Sequence, residues 1–414
     1  MVRLANYVAP ASGGLRTSLR ELGAGYLAAG HEPVLVIPGA RPGRQLTEQG
    51  LVVTVPGWRV PATGGYRAIL ARRSLGRLLG QLEPDRLEVS DRTTLRWTGA
   101  WARARGVRSM MVSHDSLAGL MTMFSPPGVP AARLADQFNR STARSYDVVV
   151  CTTAWAAAEF RRLGVPNLLQ VPLGVDLACF HPGRRDESLR SRLAPNGEAL
   201  LVHCSRLSPE KRPQRALGAL AELRRRGVPA VLVVAGDGPQ RRSLQAQARG
   251  QPVRFLRHIS DRGVLARLLA TADVVIAPGP VETFGLSALE ALASGTPVVV
   301  SSRSALPAIV GPAGLTTQDD DASCADAVAS LLERDVTGRR RLARQQAERY
   351  GWPAAVRGFL DAHGLALGPG LPGPGWPGVA AASAGRASTR GVSSGGPGSG
   401  GLGAAARSRG GGLP

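Results

Sequence analysis

Short apolar runs alternate with amphipathic, helix-spaced stretches twice over in this chain, and that alternation restricts the fold more than any other feature. In the first half, the runs at 2–8, 33–37, 51–55, 107–113 and 147–152 read as strands. Helical patterns at 15–29, 66–82, 92–105 and 130–145 lie between them. In the second half, strands read at 199–204, 230–235, 253–256, 273–277 and 297–301, and helices at 212–226, 239–249, 260–271, 285–294 and 323–333. Strands with apolar residues on both faces, separated by helices, require parallel sheets covered on both sides. Two such series predict two doubly wound α/β domains.

The breakers Pro172, Gly174, Pro182 and Gly183 mark 172–185 as a linker between a first domain over 1–171 and a second over 186–350. A helix over 351–367 is expected to pack back toward the first domain. Residues 368–414 are Gly, Pro, Ser, Ala and Arg with few large apolar side chains, so this tail is expected to be disordered.

The chain has 414 residues and a formal charge of +21. Residues 1–171 hold 21 basic and 11 acidic groups, 172–367 hold 26 and 19, and the tail has four arginines and no acid. The excess favours anionic partners: phosphates or an anionic membrane surface. Aromatics are only 4%, with no basic stripe interleaved by aromatics, so nucleic acid is not expected. Cys151, Cys179, Cys204 and Cys324 are scattered, which fits reduced thiols and no metal cluster. The N-terminus MVRLANYVAP resembles no secretory leader, and no run of about 20 apolar residues would span a bilayer. A cytoplasmic protein is expected, with contact at the inner membrane face through basic surfaces.

In paired doubly wound domains, ligands gather at the carboxyl ends of the strands. The residues just after strands therefore carry the chemistry. Gly13 and Gly14 follow the first strand and open a helix, where a phosphate can reach the backbone; a plain turn accounts for them equally. His114 and Asp115 follow the strand at 107–113, either as a sugar-facing pair or as a surface turn. Arg206 and Lys211, in HCSRLSPEKRP, can grip a diphosphate and stabilise the charge it gains on departure. Lys211 is the only lysine among 51 cations, which sets it apart from an ordinary solvated helix start. Gly236, in AGDGP at 235–239, permits a close approach or a tight turn.

In ETFGLSALE, Glu282 precedes a helix and can accept hydrogen bonds from sugar hydroxyls, while Glu290, further along, can take both hydroxyls of a ribose. The N–H groups of Phe284, Gly285 and Leu286 are placed to meet phosphate. Hydroxyl donors together with the Arg206 and Lys211 cations are expected to hold these acids. Asp319, Asp320 and Asp321 read as helix capping rather than as a metal site. The basic amphipathic stretch 66–82 and the apolar stretch from Leu117 to Phe124, with Met121 and Met123, either pack internally or touch lipid.

The motifs SGGL at 12–15, PLGVD at 172–176, SRLSPEKRP at 205–213, AGDGP at 235–239 and ETFGLSALEALASGTPVV at 282–299 together resemble the retaining glycosyltransferases of family 4, which have the GT-B fold. The N-terminal stretch and EVSD at 88–91 are similar to actinobacterial GDP-mannose-dependent alpha-mannosyltransferases. The resemblance implies transfer of mannose from GDP-mannose to a lipid or glycolipid, with no essential metal and no protein nucleophile. It assigns the donor diphosphate to Arg206, Lys211, Gly13 and Gly14, the sugar to Glu282 and His114, and the ribose to Glu290. It stacks the base near Arg257, His258 and Ile259. Asp115 in place of Glu, and Arg257 in place of Gly, depart from the pattern on the acceptor and base sides. The alternatives are a UDP-sugar transferase or epimerase of the same fold, or a non-catalytic nucleotide-sugar-binding or membrane-scaffold protein.

Overall fold

The computed structural model describes residues 1–8, 13–61, 65–114, 116–124 and 130–365, with only the backbone of Leu120, Met123 and Phe124. Ser12, Asp115 and the tail 368–414 lie outside the described residues.

The first domain contains strands β1 (Val2–Leu4), β2 (Val34–Gly39), β3 (Gly43–Thr47), β4 (Gly50–Pro56), β5 (Trp58–Arg59), β6 (Arg67–Ala68), β7 (Arg86–Val89), β8 (Arg108–Ser113), β9 (Val148–Cys151) and β10 (Leu168–Gln170). Its helices are α1 (Gly14–Ala28), α2 (Arg72–Leu82), α3 (Trp97–Arg103), α4 (Leu117–Phe124), α5 (Ala131–Ser145) and α6 (Ala154–Arg161). The second domain contains α7 (Glu187–Leu193), β11 (Ala199–Cys204), α8 (Gln214–Arg225), β12 (Ala230–Ala235), α9 (Arg241–Gln247), β13 (Val253–Leu256), α10 (Arg262–Thr271), β14 (Val274–Ala277), α11 (Leu286–Ala293), β15 (Val298–Ser301), α12 (Leu306–Val310), β16 (Gly314–Thr317), α13 (Asp321–Glu333) and α14 (Val336–Glu348). A last helix, α15 (Trp352–Ala362), follows.

The second sheet runs β13-β12-β11-β14-β15-β16 and is parallel throughout. The first runs β10-β9-β8-β7-β1-β2-β4-β3, with only β3 antiparallel. In both sheets the chain reverses direction beside its first strand, between β1 and β7 and between β11 and β14. Adjacent loops splay apart at such a switch point and leave a crevice beyond the strand ends. Fully buried strands such as β12, all six residues of which are below the surface, make these interiors. Leu232, Val234 and Ile276 anchor one core, and Val36, Leu87 and Met111 the other.

Helix α15 returns to the first domain. His363, at its end, packs edge-on against Tyr26 of α1 at 6.3 Å, and its carbonyl accepts from Arg86 at 3.0 Å. Beneath it, Glu88 accepts from Arg3 Nε at 2.9 Å and from the Tyr26 hydroxyl at 2.8 Å, and it meets His363 Nε2 at 3.3 Å. Burial would raise the Glu88 carboxyl, but Arg3, His363 and Tyr26 outweigh it and hold it at about 2.

Some expected elements change. The stretch 66–82 is not one helix: Arg67–Ala68 pairs with Trp58–Arg59 in a small hairpin, and α2 begins only at Arg72. Asn6 fixes that hairpin by accepting from the Ile69 amide at 2.9 Å, a contact from far away in the chain. The first strand ends at Leu4 rather than at residue 8, and the helix expected over 92–105 spans Trp97–Arg103. Asp91 takes up the preceding turn, accepting from the amides of Thr93, Thr94 and Leu95. Asp320 is the N-cap of α13, accepting from the Ser323 amide at 2.7 Å, and Arg215 holds Asp319 and Asp321.

Candidate active site

The crevice at the β11–β14 switch point is lined by Arg206, Lys211 and Glu282. Ser208 and Pro209 open a short 3-10 turn after β11 that ends on Lys211. The Lys211 ammonium pairs with the Glu282 carboxylate, which the loop after β14 supplies. Burial would lower the Lys211 pKa, but Glu282 outweighs it and raises it, so the cation is secure at neutral pH. Arg206 Nε donates to Ser208 at 3.1 Å, its Nη2 pairs with Glu210 at 2.5 Å, and the guanidinium lies 5.1 Å over the Tyr66 ring. The sequence singled out neither Glu210 nor Tyr66. Four residues between two cations of one loop placed both on one rim, but their partners come from elsewhere.

Gly236 is required for packing. Its φ is 146°, and an added Cβ would fall 1.9 Å from the carbonyl oxygen of Ser205. The loop after β12 therefore supports the Arg206 loop backbone to backbone. Leu207 N donates to Asp237 O at 2.9 Å and completes that support. Behind the loop, the buried His203 bonds to Ile276 O at 2.8 Å and to Ser205 Oγ at 2.9 Å, and burial lowers its pKa to about 4.

Gly285 caps α11 with φ 67°, a conformation glycine adopts without strain. It turns the free N–H groups of the first helical turn into the crevice. The Phe284 side chain faces away and packs edge-on against Tyr350 at 6.1 Å, so only its backbone serves the crevice. Gly14, at the start of α1, lies across the crevice: a Cβ there would sit 3.5 Å from Leu286 Cδ1. Gly13, the N-cap of α1, has open space around it. The N-termini of α1 and α11 thus approach one another, and both carry positive dipole ends.

On the first-domain side, His114 Nε2 bonds to Ser90 Oγ at 3.1 Å, and burial holds the ring near pKa 4, so it is neutral. The Thr283 hydroxyl reaches over from the second domain to the His114 carbonyl. A neutral imidazole held by Ser90 can accept from or donate to a sugar hydroxyl; it is not a cation at pH 7. Thr283 and Ser90 were not singled out from the sequence, because nothing in their local pattern marks a contact 169 or 24 residues away.

Glu290 has a different setting from the one expected. No described side chain pairs with it, and Arg206 and Lys211 hold their own carboxylates. Burial raises its pKa to about 7, opposed by Arg262 and Arg20 and reinforced by Glu21 and Asp176. Those four residues are linked: Arg262 bridges to Glu21 at 3.1 Å and Asp176 at 3.2 Å, and Arg20 pairs with Glu21 at 2.6 Å. Arg262 thereby joins α10 to α1 right beside Glu290. Arg257 and His258 are exposed beyond β13, with Ile259 half-buried, and none makes a side-chain hydrogen bond among the described residues. The structure brings together Arg206, Lys211, Glu282, His114, Gly14 and the α11 start. It leaves Arg257 and His258 on the outer lip, two strands from β11.

Two doubly wound domains, with cations and helix N-termini converging at a switch point, have the GT-B architecture with a crevice built for a phosphorylated ligand. A family model described as "Glycosyl transferases group 1" matches residues 184–349, and one described as "Glycosyl transferase 4-like domain" matches 13–174. The chain is 48% identical over 362 residues, 87% of its length and 94% of the relative's, to a GDP-mannose-dependent alpha-(1-6)-phosphatidylinositol dimannoside mannosyltransferase of Mycobacterium tuberculosis. It is 27% identical to a GDP-mannose-dependent alpha-mannosyltransferase of Mycolicibacterium smegmatis, over 82% of this chain and 90% of that one. The fold matches sucrose-phosphate synthase from Thermosynechococcus elongatus with a TM-score of 0.72 at 21% identity, covering 87% of this chain and 97% of that one. The chain belongs to glycosyltransferase family 4, on its mannosyltransferase branch.

Proposed function

We propose that this enzyme transfers mannose from GDP-mannose to the sugar headgroup of a membrane glycolipid, with retention of anomeric configuration. The observation that carries the reading is the Lys211–Glu282 pair at the β11–β14 switch point, in a chain 48% identical to a relative whose name specifies that donor and a phosphatidylinositol dimannoside acceptor. Lys211 and Arg206 stabilise the charge that accumulates on the departing diphosphate, and the starts of α1 and α11 supply N–H donors. Glu282, oriented by Lys211, accepts from hydroxyls of the transferred sugar. Neutral His114 contacts the same sugar from the first domain. Glu290 takes the ribose hydroxyls. The base lies against the lip formed by Arg257, His258 and Ile259. The two cations and the N–H groups of the helix starts face the diphosphate, and the reading includes no divalent cation. Acceptor attack comes from the face of the leaving phosphate, whose oxygen takes the acceptor proton.

No helix among the described residues is long and apolar enough to cross a membrane. The enzyme works peripherally, and its excess of arginine favours an anionic surface on the cytoplasmic side.

The test is release of GDP from GDP-mannose with a phosphatidylinositol dimannoside acceptor. Lys211→Ala should lower kcat by about 10²–10³, the loss typical of removing one transition-state donor. Glu282→Ala should lose comparable activity. If wild type and both variants release GDP at one slow rate, the catalytic reading fails. If UDP-glucose alone raises the melting temperature and GDP-mannose does not, the donor assignment fails.

A further inference from the structure

A hollow of the first domain lies away from the crevice described above, between α2 and the β3–β4 hairpin. It measures about 580 Å³, within the span of small-molecule sites. Its walls are Val53, Val55, Ile69, Leu75 and Leu78, with Arg44 at the rim. A second hollow of about 380 Å³ adjoins the first turn of α2 on its other side; it is lined by Leu70, Arg72, Thr93, Thr94 and Phe138. One hollow is apolar and the other offers hydroxyls, an arginine and an aromatic face, with the start of α2 dividing them.

The surface around the apolar hollow has the composition of a lipid contact. Trp58 is 72% exposed, Leu46 is 81% exposed and Leu70 is 48% exposed. Leu46 stands two residues beyond Arg44 on β3, hence on the same side of the strand. Arg44, Arg72, Arg73 and Arg77 are exposed there, and none of their side chains makes a hydrogen bond or ion pair among the described residues. Exposed apolar groups mixed with unpaired arginines suit a bilayer interface with anionic headgroups.

Resting on the lipid-acceptor reading above, we infer that the apolar hollow receives one acyl chain of an anionic phospholipid acceptor. The lipid's phosphate then lies at Arg44 and Arg72, and its headgroup enters the hollow at Thr93, Thr94 and Phe138. A volume of about 580 Å³ lies in the range of sites that hold one small molecule, which suits a single acyl chain. The C-terminal stretch 368–414 is a poor rival: it carries four arginines and no acid, and would meet an arginine-lined rim.

The test uses the full chain and 1-palmitoyl lysophosphatidylinositol below its micelle concentration, in equilibrium dialysis. Glycerophosphoinositol, which has the headgroup and no chain, is the control. Wild type should bind the lysolipid saturably, one per chain, and at least tenfold more tightly than the control. Ser74→Trp, an exposed position at the mouth, and Val55→Phe, on the opposite wall, should each weaken lysolipid binding tenfold or more. Both should keep the wild-type thermal shift with GDP, which shows that they fold. Non-saturable binding by wild type, equal binding by the control, or binding unchanged in both variants overturns the inference. So does a concentration-dependent dimer that both variants abolish without any lysolipid binding. GDP-mannose turnover is measured separately: lysolipid binding without mannosyl transfer sinks the reaction and keeps the site, and transfer without lysolipid binding does the reverse.

Discussion

Replacing Glu290 by Gln should stabilise this enzyme and weaken its hold on the donor, and both differences from wild type should grow as pH rises through about 7. The carboxyl sits half-buried on α11 with no described partner, and burial raises its pKa from 4.5 to about 7. In the unfolded chain it ionises near 4.5, so between those two values the folded state binds the extra proton. The stability that this proton contributes is fully present below about 4.5 and is lost as pH rises through about 7. The displacement of about 2.5 pKa units, at 1.36 kcal/mol each, corresponds to about 3 kcal/mol by pH 8. Nearby water makes that an upper figure. Gln cannot ionise, so the variant should match wild type below pH 5 and exceed it by up to about 3 kcal/mol at pH 8. That gap is a few degrees of melting temperature for a chain of this size. Donor binding runs the other way. A carboxylate accepts from ribose hydroxyls and a carboxylic acid does so poorly, so GDP should bind wild type about tenfold more tightly at pH 8 than at pH 6. The Gln variant should bind it weakly at both. Paired melting curves and GDP titrations from pH 5 to 8.5 decide the matter. A stability gap that does not change with pH, or GDP affinity flat across the range in wild type, would refute the reasoning.

Gly236→Ala should cost about 3 kcal/mol or more in urea unfolding, because its Cβ would meet Ser205 O at 1.9 Å in a backbone conformation alanine avoids; a loss under about 1 kcal/mol would show that the loop yields freely. Glu88→Ala leaves Arg3 charged and buried without its partner, for an expected loss of about 3–5 kcal/mol at pH 7. Since Glu88 is held at about 2, wild type should lose this contribution as pH falls from about 4.5 to about 2, and the variant should lack that acid transition. Arg262→Ala removes bridges to Glu21 and Asp176 that are partly exposed, so stability should fall by only about 1 kcal/mol or less. The GDP affinity of Arg262→Ala at pH 7 should fall several-fold, since Glu290 loses its nearest opposing cation and its pKa climbs; unchanged affinity would separate the bridge from the donor site.

The sheets were legible because parallel strands are apolar on both faces. The runs at 199–204, 230–235 and 253–256 agree to the residue with β11, β12 and β13. Strands at the margins were not. β3 reads GRQLT and is almost wholly exposed, and it is a strand only because β4 runs beside it. β16 reads GLTT and depends in the same way on β15. Helix α14, VTGRRRLARQQAE, has too few apolar side chains to announce itself. It is held in part by Arg340 and Arg344, which donate to carbonyls at the ends of other elements. The overrun at 66–82 has the same origin: Ile69 and Leu70 fit a helical period, and the hydrogen bond that the Ile69 amide donates to Asn6 overrides it.

The site shows where local pattern stops being sufficient. Lys211 and Glu282 were both visible and expected to meet, yet that Lys211 rather than Arg206 takes Glu282 depends on β11 and β14 being neighbours, which follows from strand order rather than from spacing. The pairing also changes how the cations act. Arg206 has Glu210 and Lys211 has Glu282, so the four side chains sum to zero charge. A diphosphate entering the crevice therefore meets oriented dipoles and balanced ion pairs rather than a bare positive patch. Such a site attracts a resting phosphate less strongly than two free cations would, while remaining able to respond when the bond to the sugar breaks and the leaving oxygens gain charge. Interactions stronger in the transition state than before it are the ones that accelerate a reaction. The carboxylates of Glu210 and Glu282, costly neighbours for a bound diphosphate, thereby direct the strength of the two cations toward the departing group.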